Sequence, residues 1–308
     1  MWLDIEEALQ LWVQYMEQKQ ETVMGSMLVE KCAQFEDALK VPECERLQSD
    51  GWVQKFLWTW VQNATNYNQI THSMTRYNLK EYQRHGEAAS VNLKAVKGEW
   101  VRVAKKLEKY PPKDHLNTDE LGLFGLSGEK SNKFWITVTF ICNQTSTKKW
   151  PIFYVGKSKQ PRCFKKKKPS EYGFHYCNNK MAWMTVKFFE EWIKEFNQQF
   201  WCENQHVALT LNNFAGHKIA YEPTNIKLIF FEPNLTPYIQ PLDAGIICCF
   251  KEHYQKAFCA HAVNTDEAGE EDVYKINLLE VMLMVRQAWD AVGAETIANC
   301  WKHTGITE

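Results

Sequence analysis

Residues Asn225–Tyr254 read NIKLIFFEPNLTPYIQPLDAGIICCFKEHY, and this stretch sets the plan of the chain. It opens with a short apolar run, Ile226, Leu228, Ile229, Phe230 and Phe231, of the length and composition of a buried strand. Pro233, Pro237 and Pro241 punctuate a loop after it, and an amphipathic helix follows. One acid, Asp243, stands at the mouth of that helix. A carboxylate held there is either a helix cap or a metal ligand, and on these residues alone the cap is favoured.

Working outward, the same alternation of strand and helix recurs. Val207–Leu211 has the continuous apolar character of a buried strand and ends in Asn212-Asn213, followed by a loop with Gly216 and His217. Thr185–Phe200 reads as a helix capped by Thr185, with Phe188, Phe189, Trp192, Ile193 and Phe196 turned inward. Phe134–Cys142 (FWITVTFIC) alternates and is rich in β-branched residues, and Trp150–Val155 repeats the theme after the turn-like Asn143–Thr147, so the two read as paired strands. Towards the C-terminus, the acidic Asp266–Asp272 precedes a helix expected over Val273–Ala291. Hairpin strands first, then strands alternating with helices, predict an α/β fold with a mixed sheet and flanking helices.

Within this frame some residues read two ways. Lys157, Lys159, Arg162 and the run Lys165, Lys166, Lys167, Lys168 form either a solvated loop or a phosphate-contacting one. His217, beside a glycine turn, reads as a hydrogen-bonded structural histidine, with a metal or phosphate contact as the alternative. Trp183 reads as a core aromatic, with a base-stacking platform as the alternative.

The N-terminal part follows helical spacing. Ile5, Ala8, Leu9, Trp12, Val13 and Met16 mark one amphipathic helix; a second, expected to be capped by Ser26, stops before Pro42. A third starts near Ser49 and Asp50, with Trp52, Val53 and Phe56 inward and Lys55 beside them. Three short helices fit a helix-turn-helix unit or any small bundle. Leu57–Arg76 is rich in amides and aromatics and reads as an insertion; a further helix through Val96, Trp100, Val103, Ala104 and Leu107 ends at Tyr110-Pro111-Pro112. The expected organisation is a small all-α region over 1–56, an insertion and helical linker over 57–111, and the α/β domain over 112–308.

Composition narrows the function classes. A chain of 308 residues with 45% hydrophobic content is globular, and 36 Lys+Arg against 37 Asp+Glu leave a formal net charge of -1. The balance favours no partner class, so nucleic-acid affinity has to come from local patches. Ten Cys without a CxxC pair argue against a disulfide framework and for a reducing compartment. Cys300 and His303 have a ligand-like spacing, but the pair-of-pairs spacing of a closed zinc site is absent. No apolar run approaches the roughly 18 residues of a membrane span, and no basic targeting region opens the chain. An intracellular protein without a membrane partner is expected.

Five motifs in order carry a resemblance. Asn117-Thr118-Asp119-Glu120, then Val155-Gly156-Lys157-Ser158-Lys159 with Pro161-Arg162-Cys163-Phe164, then NKMAWMT over Asn179–Thr185, LNNFAGH over Leu211–His217, and QPLDAGI over Gln240–Ile246 resemble the DDE transposase domain of the pogo and Tigger group. That group lies in the mariner superfamily, to which centromere protein B and the jerky proteins are related. The match covers roughly 86–306, and residues 1–56 resemble part of a CENP-B-type helix-turn-helix domain. The resemblance implies an RNase H-like fold, a nuclear location, double-stranded DNA as partner and three carboxylates holding two Mg²⁺ ions, with a homo-oligomer open beside a monomer. Hard oxygen ligands with negative charge suit Mg²⁺, and two such ions activate a nucleophile and stabilise the leaving oxygen of a phosphodiester.

Mapped motif by motif, the catalytic positions fall on Asp119, Asn212 and Asp243, the metal ligands on Asp119 and Asp243, and the DNA contacts on the Lys157–Lys168 cations together with Ser49, Trp52 and Lys55. The second position departs from the family: an acid is expected where Asn212 stands. An amide offers a neutral oxygen and no charge, so metal affinity and nucleophile activation both fall. Glu120, next to Asp119, leaves an extended chain on the other side and is a poor substitute. The expected function is therefore a transposase-derived nucleic-acid-binding protein with impaired catalysis. An active Mg²⁺-dependent endonuclease and a domesticated chromatin or centromere-type binder remain open beside it.

Overall fold

The computed structural model describes residues 2–19, 21, 23–47, 51–53, 56, 93–124, 134–270 and 272–306. The insertion expected at Leu57–Arg76, and the assigned contacts Ser49 and Lys55, lie outside these residues. The chain divides into two compact units, one from described residues within 1–83 and 255–275, the other from those within 84–126, 132–254 and 276–308.

The first unit is helical. Helix α1 (Trp2–Gln18) and helix α2 (Gly25–Ala38) bury Leu9, Val13, Met16, Met27 and Leu28, the apolar positions of their 3.6-residue pattern. Ser26 does not cap α2: the N-cap is Met24, and Ser26 Oγ instead lies 2.9 Å from Cys259 Sγ. Asp266 is buried, accepting from Trp12 Nε1 at 3.0 Å and Lys19 Nζ at 2.9 Å, rather than starting a helix. Trp52 packs edge-on against Phe56, with ring centroids 6.2 Å apart.

The second unit is built on a six-stranded sheet. Helix α3 (Leu93–Leu107) leads into β1 (His115–Phe124), β2 (Trp135–Asn143), β3 (Phe153–Gly156) and β4 (His175–Asn178); helix α4 (Val186–Cys202) follows, then β5 (Val207–Leu211) and β6 (Ile226–Phe230). The spatial order is β4-β3-β2-β1-β5-β6. Strand β2 runs antiparallel to both neighbours, while the β1–β5, β5–β6 and β3–β4 pairs are parallel. This is the mixed α/β sheet with flanking helices expected from the sequence. Among the described residues three long helices follow: α5 (Ile247–Glu267), whose first turns belong to this unit, α6 (Leu278–Ala291) and α7 (Ala294–His303). The last long helix but one begins later than expected because Asn277 caps it, its Oδ1 accepting from Leu279 N at 3.0 Å and Glu280 N at 3.1 Å.

Strand alternation sorts side chains to two faces. Leu116, Ile141, Val155 and Leu209 join Phe189, Ile193, Phe196 and Phe200 of α4 in one core. On the opposite face Phe140 meets Phe250 and Trp289 with ring centroids 4.6 and 4.7 Å away, and Tyr154 Oη donates to Met282 O. Thr185 caps α4 as its sequence predicts, accepting from Phe188 N. Lys149 closes the C-terminus of α6, its ammonium donating to the carbonyls of Trp289, Asp290 and Val292 at 2.7–2.9 Å. Among the described residues no helix is long and apolar enough to cross a membrane.

Candidate active site

The sheet brings the three mapped positions to one place. Asp119 is the fifth residue of β1, paired with Phe140, so its side chain points to the face covered by α5 and α6. Asn117 shares that face two residues earlier, and Asn212 follows the last residue of β5, the neighbouring parallel strand. Asp243 arrives from the third direction, on a π-turn over Leu242–Ile246. Pro241, not Asp243, holds the N-cap position, so the cap expected from the local sequence is replaced by a carboxylate inside a wide turn. Gly245 makes the turn possible: its φ is 153°, and a Cβ there would lie 3.0 Å from Cys300 Sγ.

Asn117 ties these pieces together. It is fully buried, donates from Nδ2 to Thr210 O at 3.0 Å and Thr210 Oγ1 at 3.2 Å, and accepts at Oδ1 from Leu242 N at 3.0 Å. One side chain thus fixes β1, β5 and the turn that carries Asp243. Gln240 adds a second stay, donating from Nε2 to Asp243 Oδ2 at 3.0 Å. Neither residue stood out as functional in the sequence. The available signal was a polar side chain in a strand buried on both faces, where Asn survives only if its hydrogen bonds are met.

The carboxyl groups of Asp119 and Asp243 lie close enough to influence each other's protonation. Burial pushes Asp119 well above the ordinary carboxylate range, and the Asp243 and Glu120 carboxylates push it further. Asp243 is also raised, first by the protein atoms around it; because one edge stays exposed, and because the bond from Asp119, Lys251 and Gln240 favour its charged form, it is the group that ionises more readily. Asn212 Nδ2 makes a long, 3.4 Å contact with Asp119 Oδ1, while Asn212 Oδ1 is buried without a hydrogen-bond partner.

Glu120 does not reach this cluster. It pairs with Thr139 on β2 and points to the α4 face, where its Oε1 accepts from His217 Nε2 at 2.9 Å. His217 is fully buried, its ring 4.5 Å from that of Phe189, and its Nδ1 lies 3.5 Å from Asn212 O. The structural reading of His217 is the one its surroundings match.

The resemblance implies Mg²⁺ at this site. Asp119, Asp243 and the unpartnered Asn212 Oδ1 are three hard oxygens with at most two negative charges, which fits one Mg²⁺ and falls short of two. Among the described residues no group of three or more His, Cys, Asp or Glu side chains could hold a metal ion.

A pH dependence follows for the metal-free protein. The folded state keeps a proton on Asp119 at pH values where the unfolded chain has released it, so stability falls as pH rises from the ordinary carboxylate value through the raised one. Asp119→Asn is expected to flatten that slope and, above it, to stabilise the protein by about 1 kcal/mol, a Tm rise of ~2–4 °C. Thermal melts of both proteins across pH 4–8 in chelator check this; a steeper slope in the variant would contradict it.

The remaining mapped residues lie elsewhere. Lys157, Lys159, Arg162 and Lys165–Lys168 are all exposed on the segment after β3 and form no ion pair with another described residue. The segment is well anchored: Phe164 is fully buried against Tyr172 and Tyr176, and Gln160 Nε2 donates to Lys165 O and Lys167 O. Trp183 is 54% exposed, so the core role read from its sequence is overturned. Its neighbours Ala182 and Met184 are the buried pair, because the left-handed backbone at Ala182 (φ 55°) shifts the pattern by one.

The chain is 25% identical to CENP-B homolog protein 2 of Schizosaccharomyces pombe and 26% identical to Tigger transposable element-derived protein 4 of Mus musculus, each over 98% of its length. It spans 60% and 58% of those relatives. Among solved structures, the Mos1 strand transfer complex is similar over 96% of this chain and 93% of that one, with 8% identity and a TM-score of 0.41. The Tc5 transposase DNA-binding domain family matches residues 2–59, and the DDE superfamily endonuclease family matches residues 133–301. With more than half its length in that second match, the chain belongs to the DDE superfamily endonuclease family.

Proposed function

We propose that this chain is a transposase-derived, nuclear DNA-binding protein whose endonuclease-type site has lost most of its strand-cutting capacity. The observation that carries the reading is the amide at the second position: Asn212 turns its N–H towards Asp119, where a third carboxylate would add charge. Asp119 and Asp243 would hold one Mg²⁺, with Asn212 Oδ1 as a neutral ligand. When bound, such an ion lends positive charge to a phosphodiester oxygen. The protein's own share is positional: Asn117 and Gln240 hold Asp243 against Asp119, and His217 keeps Glu120 out of the cluster. Double-stranded DNA as the partner is supported by the Tc5-type match and by the seven exposed cations after β3.

Two measurements on the purified chain test this. Duplex binding is expected to weaken at least about tenfold between low and physiological salt, as phosphate contacts do. Supercoiled plasmid with Mg²⁺ or Mn²⁺ is expected to be nicked no faster than by Asp243→Ala. Robust cutting that disappears in Asp243→Ala would overturn the impairment.

A further inference from the structure

We infer that Trp183 is a stacking platform for an unpaired base of a DNA strand whose phosphates run along the Lys157–Lys168 cations. The inference rests on the DNA-binding reading above and specifies which part of the DNA this face takes.

Trp183 is exposed by construction. Asn179 clamps the loop that carries it, accepting at Oδ1 from Met181 N at 3.1 Å and Trp183 N at 3.2 Å, and donating from Nδ2 to Trp183 O at 2.7 Å. Ala182 adopts a left-handed backbone, uncommon for alanine, with its side chain fully buried and its carbonyl accepting from Thr137 Oγ1 at 2.7 Å. The anchor goes in and the indole comes out. Met181 at 60% and Val186 at 43% exposure flank it in sequence, so the loop offers an apolar surface rather than one stray ring.

Position and charge point to the occupant. The loop is bonded to Gly156 through Asn179 N at 3.0 Å, and Gly156 immediately precedes Lys157. Val155 pairs with Thr137, and Thr137 with Gly122, three residues beyond Asp119. The loop is thus fixed beside the first of the cations, and Thr137, which holds Ala182, points like Glu120 to the α4 face of the sheet, opposite Asp119. An exposed aromatic on a clamped backbone, beside cations that form no ion pair with a described residue, matches a nucleobase with its backbone. Duplex DNA hides its base faces in the stack, so only an unpaired base at a nick, a frayed end or a single strand can use the indole. An apolar peptide would leave the seven cations without anionic partners.

The test uses the full chain, a fluorescein-labelled oligothymidine and a blunt duplex, read by fluorescence anisotropy over a salt series. Trp183→Ala is expected to weaken oligothymidine binding about tenfold, with duplex affinity and both salt slopes unchanged. Trp183→Phe should retain affinity within about twofold, because a smaller ring still stacks. Lys165→Ala with Lys166→Ala and Lys167→Ala should lower the salt slope for oligothymidine. The inference is overturned if Trp183→Ala binds oligothymidine as the parent does, if it loses both probes equally, or if Trp183→Phe is as damaging as alanine. Failure of the unaltered chain to bind either probe would overturn the DNA-binding reading itself, and is recorded before any variant is compared.

Discussion

Asn212→Asp is expected to raise Mg²⁺-dependent strand cleavage by at least about 100-fold, the scale on which one correctly placed charge acts in a preorganised site. The substitution is nearly isosteric, and it replaces the N–H that now faces Asp119 with an acceptor. It also adds a third acid to a site where the Asp243 carboxylate already raises buried Asp119. Without metal the variant should therefore be less stable than the parent, by about 1–2 kcal/mol at neutral pH, since another like charge is added beside buried Asp119 and its neighbour Asp243. Saturating Mg²⁺ should reverse the order, because an ion that binds only the folded state stabilises it in proportion to its affinity. Calorimetric titration, melts with and without Mg²⁺, and plasmid nicking are the three readouts. If parent and variant cut at the same rate, Asn212 is not what limits the site and another group completes it.

Asn117→Ala should be among the most costly single changes in the sheet unit. The side chain is fully buried and makes three hydrogen bonds, to Thr210 O, Thr210 Oγ1 and Leu242 N. Leu242 is itself fully buried, so water cannot easily replace the lost acceptor. Each unsatisfied buried group costs about 1–3 kcal/mol, and two are left behind, so a loss of ~3 kcal/mol is expected in urea unfolding with an unchanged m-value. In the Asn212→Asp background it should also abolish the gained cleavage, because the turn that carries Asp243 loses its tie to β1. A loss below about 1 kcal/mol would show that the turn is held by other contacts.

Much of this was open to reading from the chain itself, and the gaps have physical causes. Helix α4 announced its cap and its inward face because Thr185 and the Phe and Trp spacing obey local rules. Strands β2, β5 and β6 were visible because each buries mainly apolar side chains. Strand β1, at the centre of the sheet, carries little strand signal: HLNTDELGLF puts Asn117, Thr118, Asp119 and Glu120 where an ordinary buried strand would be apolar. Only its motif marked it. Strand β4 is short, with partly exposed side chains at the sheet edge, and gives no pattern at all. The site acids were legible because they sit in ordered motifs, whereas their support was not. Asn117 and Gln240 matter through partners 93 and 125 residues away in one case and three in the other, and spacing in the sequence carries no trace of the distant ones. Trp183 misled for a related reason: periodicity assumes a regular backbone, and the left-handed Ala182 breaks it.

The pairing of Asp119 with Phe140 and of Glu120 with Thr139 has one more consequence. Two consecutive acids share a peptide bond yet live in separate chemical compartments, one joined to Asp243 and the other locked to His217. The strand works like a reading frame: shift it by a single position, and the histidine's partner would enter the acid cluster while Asp119 turned to the aromatic side. An insertion or deletion in the first half of β1 should thus be far more damaging than most substitutions there, because it would exchange the two compartments' contents at once.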